Sequence, residues 1–106
     1  MEGFAPGACT DIAATLQDVD EALRQLADED IEPRDAADRF RAAQEQLKPV
    51  AEGSDGVAEH VRELITRQGF FRLAVDTGAV DTGAGDAGQQ DDVQDALDAL
   101  AEACRA

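Results

Sequence analysis

Four stretches of this sequence repeat one spacing: an apolar residue, then three or four steps, then another. In the first, Ile12, Leu16, Val19, Leu23 and Leu26 are spaced 4, 3, 4 and 3, with Asp and Glu between them. A helix turns once in about 3.6 residues, so this spacing lines the five side chains into one apolar seam. The second stretch repeats it with Ala36, Phe40, Ala43 and Leu47, and the last with Val93, Leu97, Leu100 and Cys104. The third runs from Val57 through Val61, Leu64 and Ile65, then meets Gly69 before Phe70, Phe71, Leu73, Ala74 and Val75. Its spacing predicts a helix continuing through Gly69 to about Val75. The alternative is a break there, followed by a second short helix or strand. A helix with one seam must bury it. Spacings of three and four favour shallow, coiled-coil-like crossings. The fold expected is therefore all-α, a small antiparallel bundle of about four helices in a single domain spanning 1–106. The runner-up is a long hairpin of the first two helices that needs partner chains to close.

The ends of these segments carry their own signals. Residues 1–9, with two Gly and one Pro, read as an N-terminal arm. Thr10 can cap the first helix and Asp11 suits its positive end; the helix should stop near Asp28 to Asp30. Pro33 fits the first position of the second helix, with Ile31 placed to staple onto Ala36. Pro49 should end that helix, and residues 52–56 form a turn in which Asp55 caps the third. Residues 76–90 read as a flexible Gly- and Asp-rich loop, in which Val75-Asp76-Thr77-Gly78-Ala79 is nearly repeated from Val80. The fourth helix should begin near Asp91.

Composition then says what surrounds the bundle. Twenty-four acids stand against nine bases, a net charge of −15, and Lys48 is the only lysine. An Asp-rich, Lys-poor, Ala-rich chain resembles proteins of haloarchaea and their viruses. Above 1 M salt the Debye length is about 3 Å or less, and repulsion among surface carboxylates is screened. The alternative is an acidic protein of ordinary salt that mimics nucleic acid or binds basic partners. The charge is uneven. Residues 1–33 hold nine acids and one base, residues 34–72 seven of each, and residues 73–106 eight acids and one base. A near-neutral central hairpin thus lies between acidic ends, and a surface kept for a partner is expected there.

Few residues suggest chemistry. Leu73-Ala74-Val75-Asp76-Thr77-Gly78-Ala79 resembles the Asp-Thr-Gly-Ala signature of retroviral-type aspartic proteases. That resemblance covers seven residues, and it implies an almost wholly β fold in which most of the chain follows the motif. Here three helical segments precede it, so it reads as a solvated loop. Asp76, Asp81 and Asp86 lack the alternation and closing Glu of a calcium loop. His60 has no second His or Cys near it in sequence. Arg34, Asp38, Arg41, Glu45 and Lys48 alternate in sign along one face and read as an ion-pair ladder. An alternative reading of residues 33–68 is a helix-turn-helix, though the turn is long and the net charge opposes DNA. Cys9 and Cys104 would share one end of an antiparallel bundle. A disulfide is then geometrically open, but two buried thiols in a reducing cytosol is the favoured reading.

The expectation is a non-enzymatic helical interaction or structural subunit from a halophilic archaeon or its virus, of accessory or virion-connector type. A DNA-associated regulator is the alternative. The residues expected to meet a partner are Arg34, Phe40, Arg41, Arg62, Arg67, Phe70, Phe71 and Arg72. No catalytic residue, metal or cofactor is expected. The partner should be another protein or a second copy, with nucleic acid engaged only at high salt and no membrane. The location expected is cytoplasmic, with the virion as alternative.

Overall fold

The structure, a computed structural model, describes residues 8–53, 56–76 and 87–105. They form four helices: α1 (Ala8–Ala27), α2 (Pro33–Ala51), α3 (Gly56–Asp76) and α4 (Ala87–Cys104). Each packs against the next in sequence, and α1 meets α4 to close the ring. The result is a small all-α bundle, and the seams of α1 and α2 are buried without help from another chain.

The apolar seams are the core. Ile12, Leu16, Val19, Leu23 and Leu26 of α1 are all buried, as are Ala36, Phe40, Ala43 and Leu47 of α2. Val93, Leu97, Leu100 and Cys104 complete it from α4. In α3 the buried line is Ala58, Val61, Leu64, Gln68, Phe71 and Val75. The helix does continue through Gly69, as its spacing predicted, with Gln68 at the seam position between Leu64 and Phe71. Ile31 packs against this core from just ahead of α2, as a staple residue would.

Several boundaries differ from expectation. Ala8 and Cys9, expected in the N-terminal arm, already belong to α1, so Thr10 lies inside the first turn rather than ahead of it. Residues 1–7 lie outside the described residues, as do Asp55 and the repeat over 77–86. Pro49 does not stop α2, which runs on to Ala51. The carbonyl that Pro49 leaves without a donor belongs to exposed Glu45, where water can satisfy it. The loop expected over 76–90 loses both ends to helix: Asp76 closes α3 and α4 starts at Ala87. Gln is a good helix former, so Gln89 and Gln90 suit a helix that starts ahead of Asp91.

The turn from α1 to α2 has a defined form. Asp30 N–H donates to Gln25 O at 2.8 Å and Glu29 N–H to Leu26 O at 3.1 Å, with Glu29 at φ 61°. That is a Schellman-type end with a glutamate at the left-handed position. The Glu32 N–H then donates to Asp35 Oδ2 at 3.2 Å, anchoring the start of α2.

The largest departure joins the two ends of the chain. Cys9 and Cys104 form a disulfide, with Cα atoms 5.6 Å apart, which corrects the expectation of two free thiols. The geometry follows from antiparallel packing. The first turn of α1 and the last of α4 lie at one end of the bundle, each cysteine on its buried seam.

Candidate interaction surface

The helices sort the eight residues expected to meet a partner into three groups. Phe40 and Phe71 are completely buried, with ring centroids 5.2 Å apart at 71°. They are the aromatic centre of the α2–α3 contact and face no partner. Arg62 and Arg67 are structural. Arg62 Nη1 donates to the carbonyls of Ala51 at 2.8 Å and Gly53 at 3.0 Å, satisfying the end of α2. Arg67 ties α3 to α4. Its Nε donates to Glu63 Oε1 at 2.6 Å and its Nη1 lies 3.4 Å from Asp92 Oδ2. The hydrogen bond that Arg67 donates to Glu63, then the charges of Glu63 and Asp92, make Arg67 more basic than usual.

The third group stays open. Phe70 is 56% exposed, and so is Leu73, at 59%, which sequence reasoning had not singled out. Three positions apart on α3, they share its outer side. Arg34 and Arg41 are exposed on α2 and make no ion pair or hydrogen bond with any described residue. The ladder expected from their spacing is therefore not built. Of its five residues only Lys48 and Glu45 pair, at 3.3 Å. Arg34 and Arg41 instead border a cleft of about 200 Å³ with Ala37 and Asp38 on α2 and Arg72, Val75 and Asp76 on α3. Arg72 is held in place: its Nη1 donates to Gln44 Oε1 at 2.5 Å, and Gln44 Nε2 donates to Ile65 O at 3.1 Å.

Antiparallel packing brings these together. Arg34 and Arg41 belong to the first half of α2, and Arg72 and Asp76 to the last turns of α3. The cleft therefore sits at the end of the bundle opposite the disulfide. Sequence reasoning missed Arg39, which holds α2 to α1 by donating to Gln25 Oε1 and Asp18 Oδ1, both at 2.6 Å. It also missed Gln68, buried with neither amide atom hydrogen-bonded.

Taken together these features define a class: a disulfide-closed bundle of four helices among the described residues, with a cleft between the second and third. Comparison with known proteins adds no particular identity, since no protein-family model, curated protein or solved structure matches the chain. Among the described residues no group of His, Cys, Asp and Glu is arranged to hold a metal ion. No helix there is long and apolar enough to cross a membrane.

Proposed function

We propose that this protein is a non-enzymatic interaction or structural subunit of a halophilic archaeon or its virus. Its α2–α3 hairpin is the face that meets a protein partner or a second copy. The observation that carries the reading is the exposed pair Phe70 and Leu73, at the C-terminal edge of the stretch where acids and bases balance. Covering a large apolar side chain fully is worth about 1.5–3 kcal/mol, so the half-exposed pair offers an anchor of a few kcal/mol. A partner approaching there meets no excess of negative charge. The halophilic origin rests on the net charge of −15 and the single lysine. The disulfide bears on location. Such bonds persist in oxidising surroundings and are rare in a reducing cytosol, which supports the virion alternative over the cytoplasm.

Light scattering on the purified chain, with KCl raised past 1 M, tests this. The wild type should associate as salt screens its surface, and Phe70→Asp with Leu73→Asp should stay monomeric with unchanged helicity. A wild type that stays monomeric at every salt and protein concentration, and behaves like the double variant, would sink self-association through this face. A duplex DNA shift that weakens steeply with salt would instead favour a regulator.

A further inference from the structure

We infer that the cleft between the first half of α2 and the last turns of α3 is a carboxylate-binding site. Arg34, Arg41 and Arg72 receive an acidic side chain of a protein partner there. The inference rests on the interaction-subunit reading and deepens it, by naming the chemistry the partner must bring.

In a chain with 24 acids and nine bases, an unpaired arginine is the exception. Arg24, Arg39, Arg67 and Arg105 each have a carboxylate within 3.4 Å, and Arg62 caps a helix end. Arg34 and Arg41 have carboxylates close in sequence, Asp38 above all, and form no pair with them. Both border the same cleft as Arg72. Arg72 is half-buried and pre-set by its bond to Gln44, which uses one of its five N–H donors and leaves the rest. A planar guanidinium fork matches the two oxygens of a carboxylate, and holding it in place beforehand lowers the cost of binding.

Charge and size narrow the ligand further. Among the described residues of the lining, three arginines stand against Asp38 and Asp76, an excess of one positive charge that suits one monoanion. A nucleic acid would carry its further phosphates across a surface of charge −15. The cleft, about 200 Å³, is below the roughly 300–1,000 Å³ of small-molecule pockets and has room for a side chain. Leu73 lies three positions from Asp76 on α3, and neither it nor Phe70 lines the cleft. The fitting partner therefore presents an Asp or Glu side chain.

The test is an NMR titration of the whole protein above about 1 M KCl, where long-range attraction is screened. It follows the arginine Nε–Hε signals with two probes: N-acetyl-Leu-Glu-Leu-amide and its Gln counterpart. The Glu peptide should bind at least about tenfold more tightly, a difference of about 1.4 kcal/mol. Arg41→Gln should abolish that preference without changing the melting temperature, because Arg41 has no ion pair or hydrogen bond among the described residues to lose. Arg24→Gln, on α1, should keep it. Equal binding of the two peptides, or a preference that survives Arg41→Gln, overturns the inference. So does tighter binding of inorganic phosphate or duplex DNA at the same arginines. Failure of the interaction-subunit reading appears separately, as absence of association in light scattering, and leaves this titration readable.

Discussion

Phe40 and Phe71 meet edge to face across α2 and α3, their ring centroids 5.2 Å apart, and neither is exposed to solvent. The rest of the described core is mainly Leu, Val and Ala, so this pair supplies much of its bulk. Truncating Phe71 to Ala should cost about 3–4 kcal/mol, a large part of a small domain's stability. Phe70→Ala, one position on, should stay within about 0.5 kcal/mol of wild type because the ring is largely in water. Chemical denaturation at constant molar KCl reads both. Equal losses at the two sites would show that the α3 face is wrongly oriented.

Gln68 breaks the apolar seam of α3 with an amide that finds no hydrogen-bond partner. A buried polar group left unpaired costs about 1–3 kcal/mol. Gln68→Leu should therefore raise stability by an amount in that range, measurable as a higher denaturation midpoint at unchanged slope. A loss of stability would mean that the amide is satisfied in solution.

Gly69 is a different case. A Cβ built there meets nothing within 4 Å, so no neighbour requires the glycine. Inside a helix, Gly costs about 0.5–1 kcal/mol relative to Ala. Gly69→Ala should recover roughly that amount and raise helicity by circular dichroism. Destabilisation instead would place a bend at this point.

Glu29 carries φ 61° at the end of α1, between Asp28 and Asp30. A left-handed backbone is costly for a residue with a Cβ, and three carboxylates oppose the negative end of the helix dipole. Glu29→Gly should stabilise by about 0.5–1 kcal/mol, with the electrostatic share shrinking as salt rises. Thermal melts at low and molar KCl separate the two contributions. No gain at either salt would argue against the left-handed turn.

The Cys9–Cys104 bond spans 95 positions of sequence. Constraining so long a loop in the unfolded chain is worth about 4.7 kcal/mol in the entropic account, and measured losses are about 2–5 kcal/mol. Cys9→Ser with Cys104→Ser, or reduction of the wild type, should lower stability by about that much while the helices persist in molar salt. Melting unchanged by reductant would show the cysteines free.

How far the sequence foretold this differs by element. The seams of α1, α2 and α4 repeat one spacing without interruption, and the buried residues are the ones the spacing selects. In α3 the signal weakens for an identifiable reason. A polar Gln68 occupies the seam while Phe70 and Leu73 lie outside it, so apolar residues surround the helix and the period blurs. The cleft was harder to foresee. Arg34 and Arg41 looked paired with Asp38 and Glu45 on their own helix, and only the crossing of α3 sets Arg72 beside them. Spacing along one helix does not decide between a neighbour on that helix and a cleft between two. The disulfide was legible as a possibility of antiparallel topology, but the sequence could not say whether the sulfurs are joined.

The bond between the first turn of α1 and the last of α4 turns nearly the whole chain into a covalent ring. Cutting any single peptide bond between Cys9 and Cys104 would open the ring but leave one molecule, both fragments still linked through sulfur. Such a nicked chain would migrate as one species until reduced, and then as two. Its new ends would fall at the cut, leaving the packing of α1 against α4 fastened where an unbridged bundle is most prone to fray.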